Sequence, residues 1–443
     1  MIENINLFQD QEKAINKKSI LMVDTVPKNA RNTGSINLGL EIVVDKMDAQ
    51  VVNWHDDIEN LKQYELIAFN VFYPMNILNI VPFLRKNRLP LKKKNRPIKT
   101  IVGGAGVGDN GILNNIIDET FVGEYDEDEN AHEITSRPYI KGNKAVIELT
   151  RGCRHRCHFC EYIWSKPSNR QKPMSLVREQ IDYVIDKGIR NINFMSANFT
   201  GYKHLEELAE YTSKKGVLIR NTDITIMDAK NIYPILSHMP KYLKMGVESF
   251  DEKTRIKVGK KFDDEKLLNT IKKLLEHCHG LHFYLIYGLP GDDYISWFKW
   301  LDVLGDLRKS YRKRQPTLFN QKGDLVNTKN IRFEFAITNF EPPYGTPLEK
   351  APQIDFKEKA VFLKKWFRAL IDNGFASDKN VEEMDYKNAR GRIGRKQLSY
   401  EMLMMLKGGG EELTDNLIHA LPNGVGRSIS DQEADRFLTY SND

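Results

Sequence analysis

The sequence predicts an α/β protein in two main parts. A doubly wound parallel-sheet domain over residues 1–130 precedes a partial (β/α)6 barrel over 131–350, with a C-terminal helical region over 351–443. Three observations carry this expectation. Short apolar runs rich in Ile, Val, Leu and Phe recur along the chain, as strands buried on both faces require. Helix-length amphipathic stretches separate those runs, which is the alternation of a parallel sheet with covered faces. Three cysteines follow one of the strands directly, and the chain has only four.

In the first part the strand candidates are Lys18–Asp24, Ala49–Trp54, Leu66–Asn70 and Thr100–Gly104, with helices around Gly39–Met47 and Ile77–Lys86. The acidic stretch Glu124–Glu129 reads as the start of a linker. In the second part the strands are Ala145–Thr150, Asn191–Met195, Val217–Arg220, Leu243–Val247, Leu281–Tyr287 and Ile331–Ile337, with helices such as Leu176–Lys187 and Asp263–His277 between them. Six such units are too few for a closed eight-stranded barrel, so an open one is expected, with its chemistry at the C-terminal strand ends. From about residue 350 the chain reads as helical and basic, with Gly408–Gly410 as a break.

Hydrophobic content of 41% and charged content of 28% place the chain with soluble globular proteins. Met1–Asn6 lacks the basic and apolar start of a signal peptide. The most apolar stretch, Leu66–Leu84, is interrupted by Asn70, Pro74, Asn76, Asn79 and Pro82, so no membrane span is expected. Clustered cysteines argue against a disulfide framework, and a reducing, cytoplasmic location is expected. The net charge of +6 is concentrated in acid-free runs at Arg85–Arg88 with Lys92–Arg96, at Arg308–Arg314 and at Arg390–Lys396. These are either solvated loops or a surface for phosphates or nucleic acid.

Cys153-x-x-x-Cys157-x-x-Cys160 leaves a β-like run through the turn Arg151-Gly152. Three thiolates closing from one tight loop make a soft pocket suited to an iron–sulfur cluster. A 4Fe–4S cube has four iron corners, so three protein ligands leave one iron open for a reactant. The alternative is a structural zinc site that recruits His155, His158 or the distant His277-Cys278-His279, in a non-catalytic nucleic-acid-binding protein. Cys278 otherwise reads as a buried apolar thiol at a helix end, and Tyr162 and Trp164 as packing near the cysteines.

On these residues, from about 145 to 350, the chain resembles the radical S-adenosylmethionine (SAM) superfamily. Phe159 before the third cysteine, Gly246-Val247-Glu248-Ser249, Gly288-Leu289-Pro290-Gly291 and Glu341-Pro342-Pro343-Tyr344-Gly345-Thr346-Pro347-Leu348 match its features in order. The resemblance implies a 4Fe–4S cluster on Cys153, Cys157 and Cys160, whose open iron chelates SAM. It implies reductive cleavage to a 5′-deoxyadenosyl radical, and a reductant such as flavodoxin or ferredoxin. Around the SAM, Glu248 and Ser249 could hold ribose hydroxyls, and Gly288 and Gly291 could let backbone approach the nucleoside. Where many relatives carry Gly-Gly-Glu, this chain reads Met195-Ser196-Ala197-Asn198, so Ser196 and Asn198 could supply oxygens instead. No catalytic residue is named. Tyr162, Tyr284 and Tyr344 qualify as hydrogen donors by residue type alone.

The first 130 residues resemble the Rossmann-like, cobalamin-binding-type domain that precedes many radical SAM cores. The matching places are Gly34–Leu40, Val102–Val107 and Val122-Gly123-Glu124, with Gly103 and Gly104 as cobalamin-facing candidates. An Asp-x-His-x-x-Gly donor segment is absent, which leaves cobalamin binding and a docking role both open. With cobalamin the expected reaction is methylation of an unactivated carbon, and without it rearrangement or another radical modification. Methylthio transfer would need a second cluster, for which only Cys278 remains. The substrate reads as a nucleotide, a nucleic-acid base or a small metabolite.

Overall fold

A computed structural model describes residues 19–26, 37–123 and 134–376, apart from positions 73, 105, 108–115, 135, 166–168, 314–317, 320–324, 327–330, 344 and 355. The acidic stretch 124–129, the basic run 390–396, Gly34–Ile36, Gly408–Gly410 and Tyr344 lie outside the described residues. The chain divides into two compact units, whose described residues run from 19 to 123 and from 134 to 376.

The first unit is a five-stranded parallel sheet in the order β2-β1-β3-β4-β5. Its strands are β1 (Ile20–Asp24), β2 (Gln50–Asn53), β3 (Leu66–Asn70), β4 (Lys99–Gly103) and β5 (Glu119–Thr120), with α1 (Leu38–Met47) and α2 (Ile80–Lys86) between them. This is a doubly wound order with its switch point between β1 and β3. All five residues of β1 are buried, as its unbroken apolar run requires. The side chain of Asn37 caps α1 by accepting from the Leu40 amide at 3.3 Å, and α1 lays Val43, Val44 and Met47 against Met22 and Ala68. The predicted helix over 77–86 begins instead as a 3-10 segment, Pro74–Asn79.

Gly104, at φ +119°, turns the chain after β4 so closely that a Cβ there would lie 2.5 Å from the Val71 carbonyl. Val71 donates to the Gly103 carbonyl at 2.8 Å, and Gly106 donates back to Val71 at 2.9 Å. Gly103 and Gly104 therefore serve the turn that follows β4. The Gly104→Ala variant is expected to lower the unfolding free energy of this unit by about 2–3 kcal/mol through backbone strain and overlap. A urea titration reads this directly, and Gly39→Ala, whose Cβ meets nothing nearer than 3.8 Å inside α1, should not lower the midpoint.

The second unit carries six parallel strands in chain order: β7 (Lys144–Glu148), β10 (Asn191–Met195), β11 (Asp223–Ile224), β12 (Tyr242–Glu248), β13 (Gly280–Tyr287) and β16 (Arg332–Asn339). A short antiparallel strand, β6 (Tyr139–Lys141), flanks β7. Two small hairpins pair β8 (Thr150–Arg151) with β9 (Arg170–Gln171), and β14 (Leu318–Phe319) with β15 (Leu325–Val326). The strands form two ladders, and the gap between β10 and β11 is bridged by Asn221, whose Nδ2 donates to the Phe194 carbonyl at 2.6 Å. The outer layer is α4 (Met174–Asp186), α5 (Leu205–Lys214), α6 (Glu252–Lys257), α7 (Asp264–Leu275), α8 (Tyr294–Lys313) and α9 (Phe356–Asp372), preceded in the cysteine segment by α3 (Glu161–Ser165). In α7, Asp263 caps the first turn and Leu267, Ile271, Leu274 and Leu275 are buried at helical spacing. Trp366 and Phe362 of α9 pack on Trp297 and Tyr287, so this helix joins the barrel's outer layer.

One predicted strand is not formed. Val217–Arg220 serves to end α5: Gly216 adopts φ +66° and the Val217 amide donates to Thr212 at 2.8 Å. Pairing is delayed to the two-residue β11, and 3-10 turns over Ile226–Ile232 and Leu236–His238 lead on to β12 where an α-helix was expected. The basic runs also change. Arg96 is buried against Asp118 and Thr100, and Arg308 covers the Phe375 ring, which leaves Arg85, Arg88, Lys92 and Lys94 exposed from the first run. No helix among the described residues is long and apolar enough to cross a membrane.

Candidate functional site

The cysteine loop leaves the C-terminal end of β7, the first barrel strand. Gly152, at φ +70°, turns it outward, and its amide donates to the Tyr162 hydroxyl at 3.1 Å. Inside the loop the Cys160 amide donates to the Cys157 carbonyl at 3.2 Å, as does Trp164 Nε1 at 3.0 Å. The end of α6 closes on the loop from β12's side, where the His158 amide donates to Val258 at 2.9 Å. Gly259 sits at φ +87° with the Arg156 carbonyl only 2.6 Å from where a Cβ would be, so only glycine fits. The loop is thus held as a compact turn.

Those thiols are partly or wholly buried. Burial pushes the Cys157 thiol up to about 11 and raises Cys153 and Cys160 in the same direction. Left alone the set is protonated, so a metal must displace the protons to bind. Lys260 offsets that cost. It is buried beside Cys157 and Cys160, pairs with Glu248 at 2.9 Å and donates to the Gly246 carbonyl at 3.1 Å. Burial alone would lower its ammonium, but Glu248 and the cysteines outweigh burial and keep it charged. Among the described residues no three His, Cys, Asp or Glu side chains close on a single ion. A polynuclear cluster, in which each thiolate takes its own iron, fits this donor set.

Glu248 ends β12 next to a register shift and lies at φ +68°, an uncommon conformation for a residue with a Cβ. Phe159 packs with Val258, Leu289 and Phe340, and the Lys260 ammonium lies 5.9 Å from its ring centre. Ser196 lies at the end of β10, 2.6 Å from the Thr150 hydroxyl. Together these residues and the cysteines form one end of the barrel.

Four expected residues are employed elsewhere. Ser249 is fully buried, donating to Asp292 at 2.6 Å and accepting from Trp297 Nε1 at 3.1 Å, so it is not available to a ribose. Burial pushes that Asp292 carboxyl up to about 7. Asn198 is buried and its amide is taken up by Asp228 at 2.7 Å and Thr200 at 2.8 Å. Gly288, at φ +86°, serves the turn after β13, and its open face is covered by Ile354 at 3.1 Å. Gly291, at φ +85°, serves the same turn with Lys257 as its neighbour.

Sequence reasoning missed Lys260, Asp228 and Glu161. Burial pushes the Glu161 carboxyl, next to Cys160, up to about 8. Asp228 accepts from His155, Arg154 and Asn198, and these hydrogen bonds outweigh burial and hold its carboxyl below the usual range. Lys260 stands eleven positions past Ser249, and nothing in the sequence ties it to the cysteines. Nothing in the sequence marks Asp228.

Residues 147–303 match the model of the radical SAM superfamily. The curated relatives include tRNA-2-methylthio-N(6)-dimethylallyladenosine synthase of Psychrobacter cryohalolentis, 24% identical over 257 residues, or 54% of this chain and 47% of that protein. The protein of the same name from Chlorobium phaeovibrioides is 31% identical over 72 residues, 16% of each. The chain thus spans about half the length of the first of these relatives. Among solved structures, the radical SAM methyltransferase TsrM of Kitasatospora setae, with cobalamin and a 4Fe–4S cluster bound, gives a TM-score of 0.47 at 11% identity, covering 72% of this chain and 74% of that one. The cobalamin-dependent SAM radical enzyme OxsB gives 0.46 at 12% identity, covering 98% and 84%. The family pattern falls on the residues that build the open barrel and its cysteine loop, and this part of the chain is a radical SAM domain, a fold that implies a 4Fe–4S cluster and SAM as cofactors.

Proposed function

We propose that Cys153, Cys157 and Cys160 hold the 4Fe–4S cluster, and that the enzyme uses it to modify a carbon of a base in RNA. The observation that carries this reading is the cysteine loop, with three buried or half-buried thiols beside the buried Lys260 ammonium at the C-terminal end of β7. When bound, the cluster and SAM supply reductive carbon–sulfur cleavage, giving methionine and a 5′-deoxyadenosyl radical. The chain's own residues hold and orient. Lys260 offers a cation to the SAM carboxylate, and Glu248 an acceptor to its amine or ribose. Phe159 gives the site an apolar wall, and the Ser196 hydroxyl offers a further polar contact.

RNA is supported by the tRNA named for the curated relatives and by the exposed cations Arg85, Arg88, Lys92 and Lys94. The relatives' methylthio insertion is not carried over. Cys278, the one cysteine outside the loop, is fully buried in the barrel's outer core, so this chain offers no thiols for a second cluster. Methyl transfer is the outcome if the first unit takes cobalamin, and another radical modification if it does not. A reductant of flavodoxin or ferredoxin type delivers the electron.

Reconstituted enzyme incubated anaerobically with SAM, reductant and total tRNA, with and without hydroxocobalamin, tests this. We expect RNA to stimulate 5′-deoxyadenosine formation and to yield a nucleoside of altered mass after digestion. SAM cleavage that ignores RNA, with unmodified nucleosides, would reject RNA as the substrate.

A further inference from the structure

We propose that Asp228 is a positioning residue for the cysteine loop, fixing the segment between Cys153 and Cys157 so that the thiols are preset for their cluster. This rests on the assignment of that cluster to the three cysteines. Arg154 and His155 are consecutive residues of the loop, and both reach one carboxylate that lies 73 and more positions away in sequence. His155 Nε2 lies 2.6 Å from Asp228 Oδ2 and Arg154 Nε 3.2 Å from it, while a second Arg154 nitrogen bonds Oδ1. With a carboxylate as acceptor, Nε2 is the protonated nitrogen of His155.

The carboxylate is itself fixed from behind. Asn198 Nδ2 donates to Oδ2 at 2.7 Å, and Asn198 Oδ1 accepts from the Thr200 hydroxyl at 2.8 Å. The Asn198 amide donates to the Ser196 hydroxyl at 3.1 Å, which lies 2.6 Å from the Thr150 hydroxyl. Thr150 is just upstream of the loop. The bonds therefore make a circuit that starts at the loop's root, passes through the residues after β10 and the 3-10 turn Ile226–Ile232, and returns between the first two cysteines. Gly201 keeps the circuit tight, since a Cβ there would stand 2.5 Å from Asn198 Nδ2. The arrangement is that of outer groups orienting a metal-binding segment, where loss of a partner characteristically weakens metal retention more than the fold.

The test compares wild type, Asp228→Asn, and the double variant Arg154→Gln/His155→Gln after anaerobic reconstitution. Iron per chain, the electron paramagnetic resonance spectrum of the reduced cluster and the rate of iron release to a ferrous chelator are read on each. Far-ultraviolet circular dichroism and thermal unfolding of the metal-free proteins report the fold. We expect both variants to fold as wild type does but to release iron about 10-fold faster, with a changed resonance line shape. Combining all three substitutions should add little, because the partners act as one unit. Wild-type release rates and spectra in both variants would overturn the inference. If either variant does not fold, the single variant Arg154→Gln decides, since Arg154 is half-exposed and its loss leaves His155 and Asn198 on the carboxylate. Wild-type protein that takes up no iron would instead refute the cluster assignment, and this inference with it.

Discussion

Cys157→Ala is expected to abolish SAM cleavage outright. Wild-type protein reconstituted anaerobically with iron and sulfide should show the broad absorption of a cuboidal cluster near roughly 400 nm, bleached by dithionite. The variant should show neither that band nor bound iron. Cys157 is the most buried of the three thiols, and its side chain has no substitute: the other cysteines of the loop hold their own places, and Cys278 is sealed in the core. Because the cofactor carries the chemistry, losing it forfeits the whole acceleration, about 10⁶-fold or more. 5′-Deoxyadenosine formation should therefore fall to background. A variant that still binds a full cluster, or wild-type protein that binds zinc and no iron, would contradict the assignment.

Lys260→Met is expected to be the most damaging substitution outside the cysteines. The lysine and Glu248 form a buried pair at 2.9 Å, and removing one partner leaves the other charge without compensation. Breaking such a pair costs about 3–5 kcal/mol. Glu248 also adopts φ +68°, a conformation sustained only while its surroundings hold it, so loss of the lysine releases strain at the end of β12. Chemical denaturation should show the drop, and Glu248→Gln on the Lys260→Met background should recover part of it. Binding of SAM to the reconstituted protein should weaken by about 10- to 100-fold, the worth of one charge-assisted hydrogen bond. Unchanged stability together with unchanged SAM binding would refute both roles of Lys260.

The parts of the fold legible in the sequence are those set by local pattern. Apolar runs such as Ile20–Asp24 and Leu66–Asn70 are strands because only a sheet covered on both faces buries nearly every side chain of a short run. The helix Asp264–Leu275 announces itself through an aspartate cap and apolar residues at helical spacing. The failure at Val217–Arg220 has the same origin, because an apolar run that ends a helix after a glycine looks like a strand when its hydrogen bonds are unseen. At the site, the cysteine spacing was legible because three cysteines within eight residues are a local feature.

The sequence by itself determined the α/β class, the parallel strands, the cysteine loop and its place after the first barrel strand. Tertiary structure alone decided which polar residues serve that loop. It sent Ser249 to Asp292 and Trp297, and Asn198 to Asp228, and it brought Lys260 to Glu248 and the thiols. The physical reason is one of range. Periodicity and turn chemistry act over a few residues, whereas a buried polar group must take whatever partner the strand order delivers, and Asp228 meets His155 only because their strands end at the same face of the barrel.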